Sequence, residues 1–334
     1  MILYDGIIFS LQQMGGISVL FNELFKRLPQ NSYQLVDYSA KNNCNARVME
    51  RYRAFKASVD YSIFHSTYYR LPDVKRGMVV TTVHDYTYER YSSGLRRYVH
   101  TNQKNKAILG SDKVVCVSES TKRDLLEYTG HYPEERLVVV HNGVSSDYYS
   151  IPGFKAVEQV LFVGARHGYK NFHSLVLALS RLSWLELVCV GGGAFTKDEI
   201  DLLERKISGR YRHSGFLNNS QLNTEYNKSL CLVYPSLYEG FGIPILEAMR
   251  AGCPVVAVNR SSVPEVAGEA AYLMEQGSPD EIFDAINFFS VFANRNEYIA
   301  RGLLRARNFS WDLTFDKTIA VYQELLGCKL VEDV

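Results

Sequence analysis

Short apolar runs alternate with amphipathic stretches along almost the whole chain. In the first half, the runs at 2–4, 34–38, 62–65, 78–83, 113–117 and 137–140 read as strands. In the second half, those at 159–163, 185–190, 230–234, 254–258 and 271–274 do the same. Several are apolar at nearly every position, as a strand must be when both faces of its sheet are covered. The segments between them, including 19–28, 121–128, 172–182, 220–228, 245–250 and 280–289, carry apolar residues at helical spacing. Strand–helix alternation of this kind predicts parallel sheets in a doubly wound α/β architecture. So many strands in one open sheet would be unusual, and the pattern therefore predicts two sheets. The expected break lies near 147–157, where Ser145, Ser146, Pro152 and Gly153 interrupt the periodicity. Two Rossmann-like domains follow, 1–150 and 151–310, each with its ligand edge at the carboxyl ends of its strands. A helical tail, 311–326, comes after them.

Composition narrows the class. The 334 residues are 46% apolar and 22% charged, which excludes a disordered chain. With 37 Lys and Arg against 36 Asp and Glu, the net charge of +1 argues against nucleic acid as a partner. The charge is uneven, at +4 over 1–150 and −3 over the rest, so the first half is the better match for an anionic partner. The six cysteines show no C-x-x-C spacing, and Cys116, Cys189 and Cys231 sit inside apolar runs as buried free thiols would. A reducing, cytoplasmic location is expected, because no signal-peptide pattern and no membrane-length apolar stretch is visible.

The segment 234–252, YPSLYEGFGIPILEAMRAG, carries the densest chemistry. An apolar strand runs into a loop holding Glu239, Gly240, Phe241 and Gly242, and a helix starts around Ile243 and Pro244. Proline at the first helical turn loses no hydrogen bond, and Gly252 stands where a left-handed cap would end the helix. Glu239 is then a loop carboxylate at a strand's carboxyl end, and Glu247 lies about one turn inside the helix. Backbone N–H groups around Phe241, Gly242 and Ile243 face an anion at such a helix start. Glu247 is placed to accept two vicinal hydroxyls, as of a ribose or a hexose. Taken singly, Glu247 serves equally as a dipole-complementing charge.

YEGFGIPILE (238–247) resembles the E-x₇-E signature of glycosyltransferase family 4 (GT4), the retaining enzymes of GT-B fold. Other stretches fall in that family's order and spacing: GGISVLFNEL (15–24), VHDY (83–86), VSES (117–120), HNGV (141–144), FVGARHGYKN (162–171), GFLNNSQL (215–222) and SSVPEVAGEAAYL (261–273). The resemblance covers nearly the whole chain. It implies two Rossmann-like domains facing across a cleft, the first binding acceptor and the second nucleotide sugar, with the tail 311–334 packing back on the first. It also implies transfer of a hexose with retained configuration to a glycan or polyprenyl-diphosphate-linked acceptor. Mannose from GDP-mannose is the leading donor, by likeness to bacterial enzymes of surface-polysaccharide (O-antigen, lipopolysaccharide) synthesis.

In FVGARHGYKN a strand ends at Val163, and Arg166 and Lys170 stand where they can meet a departing diphosphate at a helix start. No Asp-x-Asp pair is present to hold a metal on a nucleotide diphosphate, so no metal and no further cofactor are expected. Gly15 and Gly16 follow the first strand and open a helix, leaving N–H groups able to cradle phosphate; a plain flexible loop fits them as well. His84 stands at the carboxyl end of a strand, and the resemblance places it beside the transferred sugar and the acceptor. The resemblance likewise places Leu217 beside the nucleobase, through its backbone. Ser118 and Asn218 read as helix caps.

On the helix expected around 90–106, Arg97, His100 and Lys104 share one face by spacing. That basic, aromatic face suits an anionic membrane surface or a lipid-diphosphate acceptor, with peripheral contact at the inner face of the cell membrane; an ordinary solvated helix face fits the pattern better still. Three alternatives remain open at this level. A GT-B nucleotide-sugar epimerase would turn over donor with no acceptor, and a non-catalytic sugar-nucleotide-binding protein would bind without turnover. A dinucleotide oxidoreductase needs G-x-G-x-x-G after a strand, and Gly191–Gly193 in VGGGAF fails that spacing.

Overall fold

Among the described residues of this computed structural model, which are all except 13, 14, 39–46, 48, 131, 154, 155 and 329–334, twelve strands form two parallel six-stranded sheets. The first sheet holds β1 (Ile2–Gly6), β2 (Tyr33–Asp37), β3 (Ile63–Ser66), β4 (Met78–Val83), β5 (Lys113–Cys116) and β6 (Leu137–Val139), in the order β2-β1-β3-β4-β5-β6. The second holds β7 (Gln159–Val163), β8 (Glu186–Val190), β9 (Tyr211–His213), β10 (Cys231–Tyr234), β11 (Val255–Val258) and β12 (Tyr272–Met274), in the order β12-β11-β10-β7-β8-β9. Each sheet is wound outward from its first strand in both directions. The order therefore reverses between β1 and β3 in one sheet and between β7 and β10 in the other, and loops at such a reversal leave a crevice for a ligand.

The apolar runs became strands where the pattern placed them. The strand that the pattern misses is β9. It is a short edge strand, half-buried along its length, and two of its three residues are Arg212 and His213. An edge strand covered on one side needs no apolar run, so it leaves no signal. Inside the second unit, Val160, Phe162, Leu175, Val176, Leu187, Val233 and Ile282 form one buried cluster between helices and sheet.

The chain divides into two units, Val144–Ser310 and the remainder. The division falls between Gly143 and Val144. The Ser-, Pro- and Gly-bearing stretch that reads as a linker lies within the second unit. There the N–H groups of Tyr149 and Ile151 donate to Asn223 and Asn227 at 3.0 and 2.7 Å, so side-chain amides tie an irregular segment to a helix. The helix Trp311–Leu326 belongs to the first unit. Its Tyr322 hydroxyl is buried, 2.9 Å from that of Tyr4 and 2.6 Å from Nδ1 of His65, and Thr314 donates to the His141 carbonyl. The last part of the expected tail, 329–334, lies outside the described residues.

Candidate active site

The second sheet reverses its order between β7 and β10, and the loops leaving these two strands meet. Leu237 N–H donates to the Tyr169 carbonyl at 2.8 Å, joining them through backbone. From the first loop, Lys170 sits at the end of a single 3₁₀ turn, Gly168–Lys170. From the second comes Glu239. Lys170 Nζ donates to Glu239 Oε1 at 2.5 Å, and both side chains are mostly buried, at 15% and 12% exposure. Tyr169 and Tyr234 lie beneath the ammonium at 5.2 and 5.6 Å. Two serines fix the Glu239 loop. The Glu239 N–H donates to Ser261, and Ser262 donates to the carbonyls of Glu239 and Phe241.

After Phe241, whose ring is buried against Phe309, Gly242 adopts φ +101° and turns the chain into the helix Ile243–Arg250. Among the described residues no side chain caps this helix. Pro244 in its first turn has no N–H, and the Ile245 N–H donates to the Gly242 carbonyl at 3.0 Å, so the open donors at this start are those of Gly242 and Ile243. One turn in, Glu247 accepts a hydrogen bond from Tyr226 at 2.8 Å, with the Tyr148 hydroxyl beside it. Burial raises the Glu247 pKa to about 7, against the lowering effect of the two hydroxyls.

Arg166 is placed differently from Lys170. Its Nε donates to Glu199 at 3.1 Å, Nη1 to the Gly191 carbonyl at 3.0 Å, and Nη2 to those of Gly193 and Ala194 at 2.8 and 2.9 Å. The guanidinium also covers the Phe195 ring at 4.7 Å. Arg166 thus clamps the glycine loop that leaves β8. Gly191, Gly192 and Gly193 all have φ near +75°, and a Cβ on Gly192 would stand 2.4 Å from the Gly164 carbonyl oxygen. The same loop receives the next one, since Gly191 N–H donates to the Gly215 carbonyl at 2.8 Å. Leu217 follows in that segment, half-buried, and Asn218 caps the helix Asn219–Lys228 through a capping box with Gln221. Arg166, Leu217, Lys170 and Glu239 therefore lie on adjoining loops at one edge, with Arg166 reaching the β8 side and Lys170 the β10 side.

In the first unit, Gly15 is extended and Gly16 opens the helix Gly16–Arg27, again with no side-chain cap among the described residues. That helix carries Phe21, whose ring lies 6.4 Å from that of His84 at the end of β4. His84 is buried, its N–H reaches the Tyr69 hydroxyl at 3.4 Å, and among the described residues its Nε2 has no hydrogen-bond partner. Burial lowers its pKa to about 4; the Asp85 charge opposes this and the Lys104 charge adds to it. Gly15, Gly16 and His84 thus share one edge of one sheet. Ser118 is a cap, accepting from Thr121 N–H at 3.0 Å.

One expectation is corrected. Arg97, His100 and Lys104 do not present a common basic face. Of these three residues of the helix Gly94–Gly110 only Arg97 is exposed, whereas His100 and Lys104 are buried at 5% and 0% exposure. Lys104 Nζ donates to Glu89 at 2.8 Å and to the Asp85 carbonyl at 2.7 Å, and His100 Nε2 pairs with the Tyr68 hydroxyl. A buried acid, Glu89, draws both inward. Helical spacing states which residues share a face but not which way the face looks.

Among the described residues no three His, Cys, Asp or Glu side chains gather as metal ligands, and no helix is long and apolar enough to cross a membrane. Sequence reasoning missed Tyr148 and Tyr226, which read as helix and loop aromatics until they close on Glu247, and it missed the carbonyls that hold Arg166.

Comparison with known proteins agrees with this architecture. Residues 152–299 match the family model described as Glycosyl transferases group 1, and residues 27–148 match Glycosyltransferase Family 4. The O-antigen chain mannosyltransferase B of Escherichia coli is 30% identical over 288 residues, covering 80% of this chain and 75% of that protein. The serotype-specific mannosyltransferase WbdA of Escherichia coli is 26% identical over 65% of this chain, which spans only 29% of WbdA. Among solved structures, sucrose-phosphate synthase from Thermosynechococcus elongatus superposes with a TM-score of 0.83 at 17% identity, over 98% of this chain and 99% of that one. Anabaena Alr3699/HepE in complex with UDP and glucose does so at 0.75 and 17%, over 97% and 99%. The chain belongs to glycosyltransferase family 4 and is a glycosyltransferase of GT-B type.

Proposed function

We propose that the protein is a retaining hexosyltransferase that moves mannose from GDP-mannose to a glycan or lipid-linked glycan in surface-polysaccharide synthesis. The observation that carries the reading is the Lys170–Glu239 pair at the β7/β10 reversal, beside an uncapped helix start. A nucleotide-diphosphate sugar needs both of these features at once. Cationic and N–H donors must meet the diphosphate, and a carboxylate must meet sugar hydroxyls close to the carbon that reacts.

In this reading the C1–O bond to the diphosphate breaks and its electron pair stays on the phosphate oxygen. The acceptor hydroxyl attacks C1 from the same face, and its proton passes to that phosphate oxygen. Lys170 and the N–H groups of Gly242 and Ile243 stabilise the charge that develops on the leaving group. Arg166 adds positive charge already fixed by four acceptors, so little reorganisation accompanies the reaction. Glu239 holds hexose hydroxyls, Glu247 the ribose, and Leu217 the base through its backbone. In the first unit, His84 is assigned to ligand hydroxyls and the Gly15–Gly16 helix start to phosphate. No resident metal is assigned. That assignment rests on the lack of an Asp-x-Asp pair in the sequence.

Mannose leads because the relatives named above are mannosyltransferases, while the UDP and glucose bound by HepE keep UDP-hexoses in the comparison. Melting the protein with GDP-, UDP- and dTDP-sugars decides the donor, since a bound ligand stabilises the native state. GDP-mannose should raise the midpoint most. A larger rise with a UDP-sugar would overturn the assignment of the donor. Transfer should persist in EDTA, and loss in EDTA with recovery on Mn²⁺ would overturn metal independence.

A further inference from the structure

The first unit contains a groove that the reading above does not use. Two hollows of about 580 and 360 Å³ adjoin along the helix Gly94–Gly110, with Tyr98 and Asn102 lining both. Each lies within the range of roughly 300–1,000 Å³ that small-molecule sites occupy. Tyr98 is 67% exposed and Tyr52, which also lines the larger hollow, 46%. Gln103 lines the larger hollow and Asn105 the smaller, and each keeps a buried side-chain oxygen with no hydrogen-bond partner among the described residues.

Charge sets the groove apart from an ordinary solvated helix face. Among the described residues no carboxylate lines either hollow, whereas Arg53, Arg70 and Lys106 line the larger and Arg97 the smaller. Arg70 is matched by Asp5 at 3.0 Å and by Glu50. Among the described residues Arg97 and Lys106 make no ion pair, so the groove keeps positive charge. Exposed tyrosine rings offer flat amphipathic faces, side-chain amides offer paired donors and acceptors, and the cations select carboxylate or phosphate. Sugar rings bearing an acid group match all three. The groove also adjoins His84 in the same unit. Tyr69 lines the larger hollow, and its hydroxyl accepts from the His84 N–H at 3.4 Å.

We propose that this two-lobed groove binds the part of the acceptor beyond the hydroxyl that receives the sugar, and that this part is a saccharide carrying a carboxylate or phosphate. The proposal rests on the transferase reading for the word acceptor, while binding itself can be measured without turnover. The acid group has two sources, an acidic sugar within the glycan or the diphosphate of a lipid carrier.

Titration calorimetry of the full chain separates them. The probes are a glucuronate-containing disaccharide, a short-prenyl N-acetylglucosaminyl diphosphate and, as neutral control, methyl α-mannoside. The wild type should bind at least one acidic probe ten times more tightly than the control. Tyr98→Ala and the double variant Arg97→Ala/Lys106→Ala should each weaken that binding at least tenfold, with nucleotide-sugar affinity and melting midpoint unchanged. These side chains are exposed, so the variants should fold. A response to the glucuronate probe assigns an acidic sugar, and a response to the diphosphate probe assigns the carrier. Equal affinity for neutral and acidic probes, no binding of either acidic probe, or binding indifferent to both variants would overturn the proposal. So would variant-sensitive binding to phosphatidylglycerol vesicles with neither soluble probe bound, since the face would then meet a membrane. Absence of nucleotide-sugar binding, with the groove still behaving as stated, would instead count against the transferase reading alone.

Discussion

Lys170 and Glu239 lie 69 positions apart in sequence and 2.5 Å apart in space. Each was legible separately, because a polar residue just past an apolar strand belongs to the carboxyl edge where α/β folds bind ligands. Their pairing was not legible, since it depends on β7 and β10 being neighbours although β8 and β9 intervene in the chain. Lys170→Ala should lower kcat by about 10²–10³ through loss of charge at the leaving group, with Lys170→Arg recovering part of it. Steady-state kinetics measure this, and an unchanged kcat in the alanine variant would remove Lys170 from the mechanism. Glu247 makes a prediction of a different kind. Its carboxyl group titrates near 4.5 when unperturbed and about 7 in the fold. Between those values the folded state holds more protons than the unfolded state, so this group makes stability fall as pH rises through the window. Glu247→Gln removes the effect. From pH 5 to pH 8 the variant should gain on the order of 1–3 kcal/mol relative to wild type in urea unfolding. A constant difference across that range would show that Glu247 titrates normally.

At the scale of elements, strands could be read from apolar runs because parallel strands are covered on both faces, and β9 escaped because an edge strand is not. The helix Gly94–Gly110 was read with its face reversed, since nothing in the spacing of His100 and Lys104 reveals that Glu89 waits in the interior. The glycine loop after β8 shows a similar limit. Its three glycines are plain in the sequence, but its Arg166 partner binds backbone carbonyls, which every residue type carries alike. The loop yields a graded test. Gly192→Ala places a Cβ 2.4 Å from the Gly164 oxygen at φ +72°, whereas Gly193→Ala meets the same left-handed strain at φ +77° in open space. Left-handed strain alone costs about 1 kcal/mol or more. Gly193→Ala should therefore lower the melting midpoint modestly and Gly192→Ala by clearly more, with donor affinity falling alongside as Arg166 loses its clamp. Equal shifts for the two variants would show that the contact with Gly164 does not hold the loop.

For the whole molecule, a near-neutral total hides a first half at +4 and a second at −3. The cations assigned to the leaving group, Arg166 and Lys170, belong to the net-negative half, and each meets a carboxylate there, Glu199 and Glu239. In the first half, Lys104 is spent on an internal contact while Arg97 and Lys106 remain at the surface. Net charge is thus a poor guide to where the chemistry sits; the strand-end loops are a better one. The reaction proposed for those loops has a stereochemical signature. Proton NMR of the product, formed with the donor that most stabilises the protein, measures it directly. The account predicts a new glycosidic linkage with the anomeric configuration of the nucleotide sugar. A product of inverted configuration would contradict it.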